Sequence, residues 1–496
     1  MTRHYNLVKQ ALRSSPHERD RRSAYLGSFA SDNSPALLRK EHLIKHGSLW
    51  GGTGSGKTSG LLQIIAQLRE VASPCSIVII DGKADTFELF AQLKAVCRET
   101  MWVTLAPHRS TYRFNPFDQS WYRAMPECLR ADYWSAAFNL NYGIDWSQAY
   151  FAAGNSAMLD EGLKDDPKDI TGYEAGVMAA RGLASKKGGL ANELKSAGSH
   201  VEAILRRLKH VDCLHGQSTI ELTDLFLKPM GLYVALPMSS GADVNRYVGT
   251  IFLQGLFAAA ACVPKPKRIQ TFGIVDESSR FCGRSSGMML QQARSLNLSM
   301  FWAFQSLLDL KTQSTDLGAA LEATAGFQWV FSATTAEEQK RLIDMSGETV
   351  ETSKTVTDDT TMQWRTVSTR PDPDGLYPYP GTIHKLTSGP SSKTSYSERV
   401  VNRLNVNELN LVSSHPTYSL LRLRDVSTLG AINIIEQRRH LTEAQYLRFV
   451  DSEWPEGNEE TTTNTYQRKQ AQVEAAPTPL LTPPKDNAAR PKKRAR

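Results

Sequence analysis

Eight residues constrain the fold of this chain more than any others: Gly51-Gly52-Thr53-Gly54-Ser55-Gly56-Lys57-Thr58. They fit G-x-x-x-x-G-K-[ST], the phosphate-binding loop or Walker A pattern. A polyphosphate needs several backbone N–H donors at close range, and side chains would hold them away. Glycine removes that obstacle and reaches backbone angles that other residues avoid. Such a loop works between a strand and a helix. The apolar stripe Leu61, Leu62, Ile64, Ile65 and Leu68 predicts a helix from about Ser59 to Val71. Its free N-terminal N–H groups and dipole favour an anion. The strand signal is weaker, since Ser48-Leu49-Trp50 follows Lys45-His46-Gly47. Gly51, Gly52, Thr53, Gly54, Ser55, Gly56, Lys57, Thr58 and Ser59 are the expected nucleotide cradle. Lys57 should reach the β- and γ-phosphates of ATP, and the Thr58 hydroxyl should bind Mg²⁺.

Downstream, Ser76-Ile77-Val78-Ile79-Ile80-Asp81 is a continuous apolar run, the mark of a buried parallel strand. A helix is expected over Phe87–Cys97 and a strand over Met101–Leu105, the alternation of a doubly wound sheet. Arg113-Phe114-Asn115-Pro116-Phe117 ends that alternation. From Trp121 to about Leu227 there are helix-like segments, such as Arg123–Leu140 and Glu193–Lys209, and no convincing strand, so a helical insertion is expected. Strand character returns at Gly231–Leu236, Phe272–Val275, Ser299–Phe304 and Phe327–Ser332, with helices over Val244–Cys262 and Ala336–Met345. Residues 350–380, rich in Thr, Asp and Pro, read as a loop or hairpin. Residues 1–42 read as an N-terminal extension with helical spacing near Leu7–Leu12. Arg399–Leu423 reads as ordered.

The strand Phe272-Gly273-Ile274-Val275 ends in Asp276-Glu277, the Walker B arrangement. Asp276 should hold Mg²⁺, and Glu277 should act as general base towards water. Asp81-Gly82-Lys83 is a rival that lacks the adjacent second carboxylate. Gln305 ends the next strand. Strand C-terminal ends line the ligand crevice of a parallel sheet, so Gln305 can meet the γ-phosphate or water. Arg294, in Gln291-Gln292-Ala293-Arg294-Ser295, is a candidate arginine finger for a neighbouring subunit.

Other motifs carry less. Gly283-Arg284-Ser285-Ser286-Gly287 fits G-x-S-x-G but lies beyond a strand end, not on a strand-to-helix elbow. His42 and His46 lack the Glu of H-E-x-x-H, and His210, Cys213 and His215 are read as incidental. The six cysteines show no C-x-x-C spacing, which fits a reducing compartment. Of the formal charge of +7, residues 466–496 supply +6, with eight Lys/Arg against two Asp/Glu. The body is therefore near neutral. Nucleic-acid binding by it would come from local patches, not from bulk charge.

In combination, Gly51–Thr58, Ser76–Lys83, Tyr112-Arg113-Phe114-Asn115-Pro116, Asp276-Glu277, Ala293-Arg294 and Gln305-Ser306 follow the order seen in type IV coupling proteins. The chain resembles this TraD/TraG group, within the FtsK/HerA class of P-loop motors, over roughly residues 43–425. The F-N-P segment and the Arg and Gln placed 18 and 29 residues after Asp276 are its more specific marks. Val400–Asp425 is similar to that group's C-terminal part.

The resemblance implies an α/β fold: a RecA-like P-loop NTPase with a mostly parallel sheet. The motor domain would span residues 43–118 and 231–425, with an inserted all-α domain at 119–230. A helical segment at 426–455 and a disordered Pro-rich basic tail at 456–496 would follow. It further implies ATP and Mg²⁺ as cofactors and a hexameric ring. Such a ring would pass single-stranded DNA with its attached relaxase to a conjugation or secretion channel. Lys57, Thr58, Asp276, Glu277, Gln305 and Arg294 would inherit the ATPase roles. Many coupling proteins begin with transmembrane helices, and this chain has no run of about 18 apolar residues. The expected location is therefore cytoplasmic, or peripheral at the inner membrane face through a partner. A soluble DNA translocase or packaging ATPase, and a nucleotide-switched adaptor recruiting protein substrates, are the competing readings.

Overall fold

An eleven-stranded sheet, seven of whose strands run parallel, carries the phosphate-binding loop after its middle strand. The computed structural model describes residues 3–106, 109–138, 146–186, 191–281, 284–310, 317–333, 335–359, 362–368, 382–388, 391–424, 430, 432–438 and 441–455. In chain order the strands are β1 Ser23–Phe29, β2 Pro35–Arg39, β3 His46–Trp50, β4 Cys75–Asp81, β5 Thr100–Thr104, β6 Gly231–Ala235, β7 Gln270–Asp276, β8 Leu298–Phe304 and β9 Ala325–Val330. Then come β10 Glu348–Asp359, β11 Met362–Ser368, β12 Thr382–Ser388, β13 Ser391–Asn402, β14 Tyr418–Leu423 and β15 Asn433–Gln437. The main sheet has the order β2-β1-β15-β14-β9-β3-β8-β7-β4-β6-β5. Pairings from β9 to β5 are parallel, and those from β9 through β14, β15 and β1 to β2 are antiparallel.

The apolar run of β4 explains the layering. Val78 and Ile80 enter one core cluster and Ile77 and Ile79 the other, since successive side chains face opposite sides of a strand. The helices Lys57–Ala72 and Glu88–Val96 cover the second face, and the long helix Ala242–Cys262 covers the first. The chain is thus a three-layer α/β fold with a mostly parallel sheet, as the resemblance implied.

Between β5 and β6 the described residues hold helices and turns and no strand. The helices are Ser120–Ala124, Glu127–Ala137, Trp146–Leu163, Ile170–Lys186 and Ala191–Leu208. Asn115 of the F-N-P segment ties the start of this insertion to its middle and to its closing part. Its Nδ2 donates to Lys168 O at 2.8 Å and Gly216 O at 2.9 Å, and its Oδ1 accepts from Phe117 N at 3.1 Å. Buried Gln119 repeats the device, donating to Ile220 O at 2.7 Å and accepting from Leu222 N at 3.0 Å.

Two stretches hold more sheet than their spacing suggests. Residues 1–42 form a helix at Arg3–Arg13, near the expected place, but also β1 and β2. The main sheet therefore reaches into the stretch read as an extension. The pairing of β1 with β2 slips between Tyr25 and Gly27, which breaks the two-residue alternation. The backbone freed there is met by side chains of the Lys57–Ala72 helix. Gln67 Oε1 accepts from Tyr25 N at 2.8 Å, and Gln63 Nε2 donates to Leu26 O at 3.0 Å. Residues 426–455 likewise contain β15 as well as the helix Glu443–Val450. A Cβ on Gly27 would stand 2.1 Å from Glu436 O, so glycine is needed where β15 meets β1. The stretch 350–380 contributes to two antiparallel ladders, β10 with β13 and β11 with β12. The tail, residues 456–496, lies outside the described residues. Among the described residues no helix is long and apolar enough to cross a membrane.

Candidate functional site

The weak strand signal before the loop has a packing cause. β3 lies between β8 and β9, buried along its whole length. A Cβ on Gly47 would stand 2.3 Å from the Phe327 ring, so this strand trades a large side chain for close approach. His46 is an internal histidine. Its Nδ1 accepts from Met300 N at 3.1 Å, so the proton sits on Nε2, which donates to Leu290 O at 2.7 Å. His42 Nδ1 accepts from Arg39 N at 3.2 Å in a helix cap. No group of His, Cys, Asp or Glu among the described residues is arranged to hold a metal by itself.

The loop from Gly51 to Gly56 runs from β3 into the helix Lys57–Ala72. Gly54 and Gly56 have φ of +76° and +103°, the left-handed region that favours glycine. Gly51 fails the other way, because a Cβ there would meet Ser332 N at 2.7 Å. The buried Lys57 curls back over the loop and donates to Gly51 O at 2.6 Å and Gly52 O at 3.0 Å. Its pKa lies below the ordinary lysine value. Burial is the main cause and the charge of Lys83 adds to it, against a pull from Asp276 and Glu277. Thr53, Gly54, Gly56, Lys57, Thr58 and Ser59 share one cavity of 520 Å³ with Lys83 and Asp276.

The acidic pair enters from β7. Since β8 separates β3 from β7, its end stands between the loop and the acids. This is why Gln305 bridges them. Its Nε2 donates to Glu277 Oε1 at 2.6 Å, and its Oε1 accepts from Thr53 Oγ1 at 3.4 Å. The other Glu277 oxygen pairs with Lys83 Nζ at 3.0 Å. Glu277 itself has φ of +53°. A non-glycine residue there carries about 1–3 kcal/mol of strain, a cost that structures concentrate at functional sites. Glu277 N donates to Asp276 Oδ1 at 3.0 Å. Asp276 is pushed up to about 7, by burial first and by the neighbouring Asp81 second.

Asp81 ends β4 opposite Asp276. Its carboxylate is committed within the fold. One oxygen accepts from Lys83 N at 3.0 Å and Ala84 N at 2.8 Å, and the other accepts from Tyr233 OH at 2.7 Å. It closes the turn that presents Lys83 and leaves Asp276 as the strand-end carboxylate that lines the cavity.

The chain brings Lys57, Thr58, Asp276, Glu277 and Gln305 together and leaves Arg294 apart. Arg294 is exposed and lines a second cavity with Lys45, His46 and Arg424, at the opposite end of the strands. The Gly283–Gly287 motif lies partly outside the described residues, and a helix begins at Arg284.

Sequence reasoning missed three contributors. Lys83 had been read only as part of a rival motif, although its place after a parallel strand end was a usable signal. Ser332, whose Oγ accepts from Gly52 N at 2.7 Å, has no local signature. The helix Glu443–Val450 brings Tyr446 and Leu447 to the rim of the cavity, and nothing in its spacing announces that.

A family model described as "Type IV secretory system Conjugative DNA transfer" matches residues 2–139. Among solved structures, the bacterial conjugative coupling protein TrwBdeltaN70, unbound, superposes with a TM-score of 0.57 at 14% identity, covering 88% of this chain and 92% of that one. The plasmid coupling protein TrwB in complex with ADP and Mg²⁺ gives a TM-score of 0.58 at 14% identity, with the same coverage of 88% and 92%. TrwB with a non-hydrolysable ATP analogue gives 0.57 at 14% identity, again over 88% and 92%. A search of curated proteins returns no match. At this identity the likeness is one of fold, and the fold is that of a P-loop NTPase.

Proposed function

We propose that this chain is a Mg²⁺-dependent ATPase of the coupling type, whose hydrolysis drives DNA or a relaxase-bound nucleoprotein towards a conjugation or secretion channel. One observation carries the ATPase reading: Lys57, Thr58 and Asp276 line a single cavity, beside a Glu277 held at both carboxylate oxygens. The loop N–H groups and Lys57 would hold the phosphates. The residues fit an oxygen-ligated dication. A hydroxyl and a buried carboxylate face one space, and no Cys or His lines it. Thr58 and Asp276 would hold Mg²⁺, which when bound neutralises phosphate charge. A carboxylate pushed up to about 7 gains its charge readily beside a cation. Glu277 would orient the attacking water and take its proton. Gln305, in contact with both Thr53 and Glu277, would sense the γ-phosphate.

The coupling part of the reading is supported by the matched family model and by the fold shared with TrwB. Arg294, exposed and remote from its own loop, would complete the site of the next subunit in a ring, expected to be a hexamer. Residues 119–230 would be the substrate-reading part.

The test is the ATPase rate of the full chain with and without single-stranded DNA, with Glu277→Gln as control. Strong stimulation in the wild type alone is expected. Hydrolysis indifferent to DNA would turn the reading towards an adaptor that recruits protein substrates. No hydrolysis under any condition would remove the motor altogether.

A further inference from the structure

The 520 Å³ cavity extends past the phosphate loop, and its far end has a different chemistry. One side is charged and polar: Lys57, Thr58, Lys83 and Asp276. The other is formed by Leu62, Leu441, Thr442, Glu443, Tyr446 and Leu447. Leu62 lies one helical turn beyond Thr58. Leu441 and Tyr446 are part-buried against the core, while Leu447 stays 50% exposed. Opposite the cationic side stands a wall of aliphatic and tyrosyl carbon broken by the Thr442 hydroxyl and the Glu443 carboxylate, which suits an occupant that is anionic at one end and carries an apolar ring with hydroxyl or amino groups at the other, the polarity of a nucleoside triphosphate. The volume lies within the 300–1,000 Å³ range of small-molecule sites.

The wall is held independently of any ligand. Before it, β15 pairs with β14 and β1. After it, Trp454 is buried, with its ring stacked on Phe90 at 5.3 Å and its Nε1 donating to Ser110 O at 2.8 Å. The helix Glu443–Val450 between these anchors starts at a capping box on Thr442 and packs against Glu88–Val96. A preformed wall spends no affinity on ordering itself.

We propose that residues 441–447 form the subsite for the base and ribose of the nucleotide, with the Tyr446 ring and Leu447 as its apolar contacts. This rests on the reading of Gly51–Thr58 as the phosphate cradle. It makes a segment more than 370 residues downstream of the loop part of the same ligand site.

The test is fluorescence titration of a methylanthraniloyl-ATP with the full chain, together with competition by inorganic tripolyphosphate, which has no base. Tyr446→Ala should weaken the labelled nucleotide about tenfold, the scale of one base–aromatic stack. Tyr446→Phe should restore binding. Leu447→Asp changes an exposed side chain, should fold normally, and should weaken binding in the same sense. Neither Tyr446 variant should alter the affinity for tripolyphosphate, and Leu447→Asp, which adds a negative charge to the cavity, should weaken it less than it weakens the labelled nucleotide. Unchanged nucleotide affinity in both Tyr446→Ala and Leu447→Asp would overturn the subsite. So would an equal loss of tripolyphosphate, since the segment would then act on the phosphate loop. Lys57→Ala separates the two readings. It should weaken both ligands, and if it weakens neither, the phosphate cradle itself is wrong.

Discussion

The two ends of the parallel strands are built on opposite plans. At the C-terminal ends of β3, β4, β7 and β8, charges are buried and answered within the chain: Glu277 by Gln305 and Lys83, Asp81 by Tyr233 and two N–H groups. At the N-terminal ends the buried titratable groups include His46. It is neutral and paired at both nitrogens, and burial lowers it to about 4. The cations there, Arg294 with Lys45 and Arg424, border a surface cavity of 380 Å³. One end is poised for a ligand of its own chain. The other places its cations at the surface, where Lys45 donates to Arg424 O, Arg424 donates to Glu322 O, and Arg294 is exposed.

The strongest way to break that contrast is at the loop. Lys57→Ala removes the buried cation that lines the cavity beside the loop, and turnover should vanish in a steady-state ATPase assay. Glu277→Gln should also abolish turnover while labelled nucleotide still binds, because the amide can keep a bond to Gln305 yet cannot take a proton. Residual turnover near wild type in Glu277→Gln would move the base elsewhere.

Next in size is Arg294→Ala. If the outward end serves a neighbour, kcat should fall about 10³-fold, the lower range for an arginine finger, with nucleotide affinity kept. Mixing this variant with Lys57→Ala should restore part of the activity, since each protein supplies what the other lacks. Mixed samples no more active than their parts would mean that Arg294 is an ordinary surface residue.

The same contrast explains what could be read from the sequence. The C-terminal ends were legible because phosphate chemistry demands a contiguous run, Gly51–Thr58, and because β4 and β7 are apolar runs closed by acids. Gln305 followed from the rule that strand ends line the crevice. The insertion was legible because the strand–helix alternation stops at Arg113–Phe117 and helical segments follow. What failed depends on contacts distant in sequence. β1 is a strand whose alternation is broken by a bulge and repaired by Gln63 and Gln67, so its pattern is not local. Gly47 is explained by Phe327, its partner on the neighbouring strand β9, and Ser332 by Gly52, a contact between residues 280 positions apart in the chain. The 441–447 wall needs the Trp454 anchor, whose partners Phe90 and Ser110 lie more than 300 residues earlier.

A third prediction probes the cost of burying charge at the C-terminal end. Asp276 sits near pKa 7 in the folded chain against 3.8 as a free side chain. Between those values the unfolded chain gives up a proton that the folded chain keeps, so stability falls as pH rises. Asp276→Asn removes that loss. Without nucleotide or Mg²⁺, its melting temperature should exceed the wild type's by a few degrees at pH 8, and by much less at pH 4. Turnover should be lost at either pH. A gain in melting temperature equal at both pH values would assign the effect to packing instead of charge.

The smallest effect should come from Ser332→Ala. The Ser332 hydroxyl is a neutral acceptor for Gly52 N, at the point where the end of β9 meets the loop. Losing it frees one backbone N–H at the edge of the cavity, a change of about 1 kcal/mol. Part-exposed, that N–H can turn to water or to phosphate, so folding should be nearly unaffected. Labelled-nucleotide affinity should shift less than about fivefold. The direction carries the information. Tighter binding would mean that Ser332 competes with phosphate for the Gly52 N–H in the empty loop. Weaker binding would mean that it holds the loop in its receptive shape. A loss as large as that of Lys57→Ala would place Ser332 among the groups that contact phosphate directly and would redraw the boundary of the cradle.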